Sequence, residues 1–133
     1  MISTLTAAQF RKAAASSPQQ ACVMIYRDEH RTLVWDDKLA DAANLTVPVE
    51  QCLVFDHDRF DLIQWALRTG APLPPWLSIV RQPDGHYEFS APPQYRQSVG
   101  TATLRFDHVE YTAFVRALRN HEFDRSAFPV PAM

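Results

Sequence analysis

Short apolar runs separated by polar turns occur in two pairs along the chain. The four runs cover residues 22–26, 32–35, 77–80 and 86–89. Each run is rich in β-branched or aromatic residues and is too short for a helix, a pattern that is typical of strands. The connections carry turn chemistry, which is polar in residues 28–31 and explicit in Pro83-Asp84-Gly85. The pattern therefore predicts two β-hairpins.

A third apolar run follows each hairpin and leads directly into an amphipathic helix. These runs cover residues 51–55 and 101–106. Asp56 and Asp107 directly precede the two helices. We interpret them as N-caps, because an aspartate at that position accepts hydrogen bonds from the first free N–H groups of the helix. Glu110 completes a capping box with Asp107, whereas Arg59 at the same position predicts a weaker start for the first helix. The core-facing stripes are Phe60, Ile63 and Leu67 in the first helix, and Tyr111, Phe114, Val115 and Leu118 in the second.

The N-terminal segment predicts one further helix, over residues 6–15. Thr6 followed by Gln9 is a capping box, and the alanine run after Phe10 favours helix until Pro18. Together these elements predict an α+β protein, in which an N-terminal helix precedes two pseudo-symmetric βββα units with antiparallel sheets.

The two βββα units resemble each other in sequence, which predicts an internal repeat. The segment that begins at Leu53 aligns without gaps on the segment that begins at Leu104, and both contain Phe-Asp-His and a later Ala-Leu-Arg. The upstream matches are Arg27 with Arg81, Leu33 with Tyr87 and Trp35 with Phe89. The alternative is chance similarity of amphipathic segments. The predicted organisation is one compact body with copies at residues 22–70 and 76–121, a proline-rich linker at 71–75 and a C-terminal tail at 122–133.

Length, composition and charge narrow the class of protein. The 133 residues are 47% hydrophobic, which is enough for one folded body with its own core. A net charge of -2 gives no basic excess, so the composition does not favour direct binding to nucleic acid. The chain has no apolar run of membrane-spanning length, and its N-terminus lacks the pattern of a signal peptide. We therefore expect a cytoplasmic protein without a membrane partner.

The sequence offers few residues for catalysis. Cys22 and Cys52 have no partner at C-x-x-C spacing, so we interpret both as buried free thiols. There is no G-x-S-x-G motif and no glycine-rich phosphate loop among the three glycines. These features predict a protein that is not an enzyme and that needs no cofactor.

Asp56-His57-Asp58 and Asp107-His108 are the residues that most resemble a metal or catalytic site. Both leading aspartates already serve as helix caps, and none of the five histidines has the spacing of a zinc motif, so we predict no metal site. The alternative is a site in a cleft between the two copies, with His57 and His108 paired across a pseudo-twofold axis.

Leu62 and Trp65 form an apolar pair that the core stripe of their helix does not require. The corresponding residues of the second copy are Ala113 and Arg116. Two interpretations are open: the pair receives the N-terminal helix through Phe10, or it binds a partner protein, since aromatic anchors often dominate interface energy. We assign Phe128, in the C-terminal tail, to the same predicted partner surface.

Two segments carry a family resemblance. Residues 109–125 combine a cap residue, an acidic-aromatic pair, Ala-Phe, a basic helix end and Glu-Phe-Asp, and residues 10–12 and 21–23 place Phe-Arg-Lys before Ala-Cys-Val. This pattern resembles a family of small actinobacterial proteins, the domain-of-unknown-function family 397, over most of the chain, as one extended unit or as two in tandem. Members are typically encoded beside helix-turn-helix regulators. The resemblance implies a regulatory or antitoxin-like role and brings no catalytic residues.

Three functions are consistent with these features. The first is a regulatory partner that binds another protein, with a helix-turn-helix regulator as the partner that the resemblance suggests. The second is a dedicated binder of another class, an immunity or antitoxin protein or a secretion chaperone. The third is a small enzyme or ligand-binding domain that uses a cleft between the copies. The lack of a recognisable site favours the first, a non-enzymatic protein-interaction module of unknown oligomeric state.

Overall fold

The computed structural model describes residues 5–13, 23–40 and 46–128. In this part of the chain two three-stranded antiparallel sheets each lead into a helix, which confirms the predicted α+β class. The strands are β1 (Val23–Arg27), β2 (Arg31–Asp36), β3 (Leu53–Asp56), β4 (Ser78–Arg81), β5 (Tyr87–Ser90) and β6 (Leu104–Phe106). The helices are α1 (His57–Thr69), α2 (Arg96–Val99) and α3 (His108–Arg119). Unit one denotes residues 23–70, and unit two denotes residues 76–120.

Both sheets have the same strand order, β1-β2-β3 and β4-β5-β6. Asp28 and Asp84 close the two hairpins, because each carboxylate accepts a hydrogen bond from the main-chain N–H two residues later. Gly85 has a φ of 91°, a conformation that residues with a side chain rarely adopt. The hairpins predicted from the turn residues are therefore present.

The two hairpins differ by one residue in the length of their connections. The pairs that flank the connections are Arg27 with Thr32 and Arg81 with Tyr87. Two positions further along the strands, Ile25 pairs with Val34 and Ile79 with Phe89. Val34 rather than Trp35 therefore corresponds to Phe89, and Thr32 corresponds to Tyr87. The sequence alignment of β2 on β5 is wrong by one residue, because it assigns equal lengths to the two connections.

Both long helices begin at the predicted aspartates. Asp56 accepts a hydrogen bond from the N–H of Arg59, and Asp107 accepts one from the N–H of Glu110, each at 2.7 Å. The Glu110 side chain accepts from the N–H of Asp107 at 2.8 Å, which completes the capping box. Gly70 ends α1 in the left-handed conformation. None of the helices in the described residues has the length and apolar character needed to cross a membrane.

The main hydrophobic core contains side chains from both units. Its buried aromatic residues are Phe55, Phe60, Phe89, Phe106, Phe114, Phe123 and Phe128. Ile63 and Leu118 from the predicted helix stripes are buried in it, and Leu67 and Tyr111 pack against it. Full burial of one such apolar side chain contributes about 1.5–3 kcal/mol, so the shared core links the two units energetically.

A second, smaller core covers the opposite face of the unit-one sheet. It contains Leu5, Phe10, Met24, Leu33, Trp35, Val47 and Cys52. The ring of Phe10 lies 5.5 Å from that of Trp35 and 5.7 Å from that of Tyr26. On the corresponding face of the unit-two sheet, Val80 in β4 is half exposed. Among the described residues, both faces of the unit-one sheet thus carry a hydrophobic core, whereas the unit-two sheet carries one on a single face.

The N-terminal helix predicted over residues 6–15 is present only as a short 3-10 turn, Ala7–Gln9. The Gln9 side chain accepts from the N–H of Thr6 at 2.9 Å, as the capping box predicts. Phe10 is already extended, and Arg11 exchanges two main-chain hydrogen bonds with Ile25 at the edge of β1. Burial of Phe10 and strand pairing therefore override the local helix propensity. Residues 14 and 15 lie outside the described residues, as does Cys22.

Residues 122–128, predicted as part of a C-terminal tail, belong to the folded body. Phe123 is fully buried, and Phe128 is only 8% exposed. Arg11 places its guanidinium 5.5 Å from the centre of the Phe128 ring and donates a hydrogen bond to the carbonyl of Ala127. Phe128, predicted on the partner surface, is therefore found buried in the main core.

Candidate functional site

His57, the first residue of α1, is buried and not directed towards solvent. Its Nε2 lies 2.9 Å from the carbonyl oxygen of Asp28, which can only accept, so Nε2 carries the proton. Nδ1 is then the acceptor for the hydroxyl of Thr32 at 3.0 Å. Burial lowers the pKa of His57, and the charge of Arg27 lowers it further. The imidazole is therefore neutral, with both ring nitrogens engaged.

The guanidinium of Arg27 is buried beside this histidine. Its Nη2 lies 2.9 Å from Oδ1 of Asp61 on α1, and its Nη1 donates to the carbonyl of Phe123 at 3.1 Å. The guanidinium also lies 5.1 Å from the centre of the Phe60 ring. Burial lowers the pKa of Arg27 while Asp61 opposes the shift. The cation also donates to the main-chain carbonyl of His57 at 3.3 Å and to His57 Nδ1 at 3.4 Å, so one carboxylate, two carbonyls, the imidazole and one aromatic ring surround it.

The chain after α3 folds back over this face of unit one. We call residues 121–128 the closing segment. Asp124 pairs with Nη2 of Arg68 at 3.2 Å, and the ring of Phe123 lies 6.0 Å from that of Phe114. His121 has a φ of 58° and pairs with Asp124 at 3.0 Å, so a left-handed turn redirects the chain after the helix. The closing segment therefore lies beside Asp61, Gln64 and Arg68 of α1, and the two segments together line a groove of about 370 Å³.

The corresponding face of unit two is open. Positions counted from the two N-cap aspartates, together with the strand pairing, relate the two units. The related residues are Arg27 and Arg81, Thr32 and Tyr87, His57 and His108, Phe60 and Tyr111, Asp61 and Thr112, and Arg68 and Arg119. His108, Thr112 and Arg119 are exposed, whereas His57 is 7% exposed. The strand arginine and the histidine of this set are thus buried in unit one, whereas their counterparts in unit two are exposed.

A groove of about 290 Å³ marks this open face, and we call it the unit-two groove. It is lined by Tyr87, His108, Tyr111, Thr112, Val115, Arg116 and Arg119. Tyr87 and Tyr111 stack with ring centres 4.0 Å apart and planes inclined by 8°. His108 lies beside them, with Nδ1 3.4 Å from the Tyr87 hydroxyl. The lining also shows that Val115, predicted in the core stripe, faces this groove.

Positive charge surrounds the aromatic pair. Arg81 places its guanidinium 5.7 Å from the centre of the Tyr87 ring, and Arg116 and Arg119 line the groove. Among the described residues, no ion pair holds either Arg116 or Arg119, and none of the lining side chains is acidic. The groove therefore combines flat aromatic surface with available cationic donors, which suits an anionic partner.

The structure does not bring His57 and His108 into one cleft. His57 bonds to Asp28 and Thr32 within unit one, whereas His108 lies in the unit-two groove, which His57 does not line. Within residues 5–13, 23–40 and 46–128, no group of three or more His, Cys, Asp or Glu side chains could hold a metal ion. The pairing of the two histidines across the units is not found.

Leu62 and Trp65 both lie on the exposed side of α1. Leu62 is 48% exposed and Trp65 is 55% exposed. Phe10 packs on Trp35 and Tyr26 instead of on this pair. The interpretation that Leu62 and Trp65 receive the N-terminal segment through Phe10 is therefore wrong.

Cys52 is a buried free thiol, as the sequence predicts. Burial raises the pKa of its thiol to about 12. Because the thiolate is the nucleophilic form, this cysteine is chemically inert at neutral pH.

Sequence reasoning missed both the closing segment and the unit-two groove. One signal for them was present in the sequence, because Arg27 aligns with Arg81, but the alignment does not indicate what either arginine binds. The replacements of Phe60 by Tyr111 and of Asp61 by Thr112 also indicated a more accessible second site. The fold-back of residues 121–128 depends on a long-range contact that no local pattern reveals.

Comparison of the chain with protein-family models, with curated protein sequences and with solved structures finds no match.

Proposed function

We propose that this protein is a non-enzymatic interaction module that binds another protein through the exposed side of α1. The observation that carries the proposal is the exposure of the Trp65 side chain beside Leu62, three residues earlier on the same helix. A large aromatic side chain gains substantial free energy when an interface covers it, and tryptophan is among the residues most enriched at interface hot spots.

The scaffold behind this pair supports the proposal. Arg68 at the end of α1 donates from Nε to the carbonyl of Leu118 at 2.7 Å, and Asp61 pairs with buried Arg27. Near the start of α1, the carbonyl of Arg59 accepts from the indole of Trp76 at 3.3 Å. A helix fixed at several points along its length presents its exposed side chains with little further loss of conformational entropy on binding.

The partner class rests on the resemblance to family 397. We infer a helix-turn-helix transcription regulator as the partner, with the complex acting in the cytoplasm. An immunity or antitoxin role would instead pair the same surface with a toxin, and a secretion chaperone would pair it with an effector. The gene beside the coding sequence and the captured partner distinguish these three roles.

Capture and affinity measurement test the proposal. Tagged protein is used to isolate its partner from the native host, and the dissociation constant of the purified pair is then measured by calorimetry. We expect Trp65→Ala to weaken binding at least about 30-fold, which corresponds to about 2 kcal/mol. The melting temperature should stay close to that of the wild type, because the side chain is more than half exposed.

Val109→Ala is the matched control, since Val109 is an equally exposed apolar residue on α3. It should change neither affinity nor melting temperature. Unchanged affinity in Trp65→Ala would contradict the proposed surface. A large loss of stability with binding retained would assign Trp65 to the packing of the fold.

A further inference from the structure

The closing segment shows what occupies the face of unit one that corresponds to the unit-two groove. It is a short, irregular stretch of chain with the sequence His-Glu-Phe-Asp-Arg-Ser at residues 121–126. Its main-chain carbonyl at Phe123 accepts from Arg27, and the Asp124 carboxylate accepts from Arg68 at 3.2 Å. The aromatic side chain of Phe123 is fully buried. Unit one therefore binds the main-chain carbonyl of Phe123 and the carboxylate of the next residue through Arg27 and Arg68, while the Phe123 ring packs near Phe114 of α3 in the shared core.

Unit two keeps the two arginines that bind these groups, with Arg119 in the lining of the unit-two groove and Arg81 beside the groove against the Tyr87 ring. Arg81 stands in the place of Arg27, and Arg119 stands in the place of Arg68. Both are exposed, and the structure provides Arg119 with no carboxylate partner among the described residues. The donors that hold the closing segment in unit one are thus present in unit two without an equivalent segment to bind.

Two replacements make the groove more cationic than its counterpart. Thr112 corresponds to Asp61, the carboxylate that neutralises the buried arginine of unit one. Arg116 corresponds to Trp65. The stacked rings of Tyr87 and Tyr111 provide a flat apolar floor beside these charges. Because no lining residue is acidic, the groove complements a negatively charged segment with an aromatic side chain.

We propose that the unit-two groove binds an extended segment of a partner protein in which an acidic residue follows an aromatic residue. Arg119 pairs with the carboxylate, Arg81 binds a main-chain carbonyl, and the aromatic side chain lies against Tyr87 and Tyr111. The closing segment of the chain itself is already held by Arg27 and Arg68, so the occupant comes from another protein. This surface shares no lining residue with the pair Leu62 and Trp65, and the inference does not depend on the function proposed for that pair.

The full chain and a synthetic peptide test this inference. The probe is the capped peptide His-Glu-Phe-Asp-Arg-Ser, added to isotope-labelled protein and followed by amide chemical shifts in NMR spectra. We expect saturable shifts centred on Tyr87, His108 and Arg119. Arg119→Ala should weaken binding about ten-fold, the usual effect of removing one charge-assisted contact. Trp65→Ala should bind the peptide as the wild type does.

Arg105→Ala is the charge-matched control, because Arg105 is an exposed arginine of the same unit that pairs with Asp84 and Glu88 outside the groove. It should leave the affinity for the peptide unchanged. The inference is overturned if Arg119→Ala binds like the wild type, or if a scrambled peptide of equal composition binds equally well. Shifts centred on Arg68 and Asp124 would also overturn it, since the peptide would then displace the closing segment. Sedimentation that shows a dimer would overturn the assignment to another protein, because the closing segment of a second copy would then occupy the groove.

Discussion

Arg27, the last residue of β1, donates a hydrogen bond from Nη1 to the main-chain carbonyl oxygen of Phe123 at 3.1 Å. The same guanidinium pairs with Asp61 on α1 at 2.9 Å, and its side chain is fully buried. One cation therefore joins the first strand, the first long helix and the segment that follows the last helix. A buried cation is stable only when such partners are present, so this junction fixes the closing segment on unit one.

Replacement of Arg27 should lower the free energy of unfolding more than replacement of its counterpart Arg81. We expect Arg27→Ala to lower the free energy of unfolding by about 2–3 kcal/mol, because the buried carbonyl of Phe123 loses its donor and the Phe60 ring loses a packing partner. Arg81→Ala, at the corresponding exposed position, should change stability by less than about 0.5 kcal/mol. Urea denaturation measures both. Equal losses in the two variants would show that the closing segment adds little.

The protonation of His57 should make stability depend on pH. Burial and Arg27 lower the pKa of this histidine in the folded state, so the unfolded chain takes up a proton on it at higher pH than the folded chain does. Its contribution is fully present above the unfolded pKa of about 6.5 and is lost as the pH falls from there towards the lowered folded pKa. For one proton the slope is at most about 1.4 kcal/mol per pH unit.

Urea denaturation between pH 7.5 and about pH 5 checks this expectation, since His57 titrates only in the unfolded chain across part of that range. His57→Gln should have a flatter stability profile than the wild type, although it is less stable at neutral pH. His108→Gln is the control, because His108 occupies the corresponding position in an exposed site. If His57→Gln kept the full slope of the wild type, the pH dependence would have to come from other groups.

The elements that depend on local chemistry could be predicted from the sequence. Asp56 and Asp107 cap their helices because a short carboxylate at that position reaches the free N–H groups of the first turn, whatever lies further away. Phe60 and Phe114 point into the core because helical periodicity alone places them on the apolar face. The turn at Gly85 could be predicted because glycine readily adopts the positive φ that this turn has.

The features that depend on distant parts of the chain could not be predicted. Phe10 leaves the helical path because Trp35 offers it a buried contact, and nothing near Phe10 in sequence encodes that ring. The register of β2 depends on the number of residues in the hairpin connection, which apolar alternation does not define. The sequence predicts Phe128 on a partner surface because no local pattern indicates that the closing segment folds back and buries this ring.

The two units share their strand order and their N-cap aspartates, but they differ in the chain segments that pack on them. Residues 5–13 pack on the outer sheet face of unit one, and the closing segment packs beside its α1. In the described part of the chain, no corresponding segment packs on unit two, where Val80 is half exposed and the groove residues remain accessible. Chain segments at the two ends of the described fold thus pack on unit one. The groove of unit two stays accessible to a partner.

Removal of the Phe10 ring should test how much the N-terminal cover contributes. We expect Phe10→Ala to lower the free energy of unfolding by about 3 kcal/mol, because the substitution leaves a cavity between Trp35 and Tyr26 in the second core. In a background with Trp65 and Trp76 replaced by phenylalanine, the emission of Trp35 should shift to longer wavelength as water reaches the indole. Leu39→Ala is the control, because Leu39 is 44% exposed and should have little effect on either quantity. Unchanged stability together with unchanged emission would mean that residues 5–13 do not cover the sheet in solution, and that the outer faces of both sheets are open.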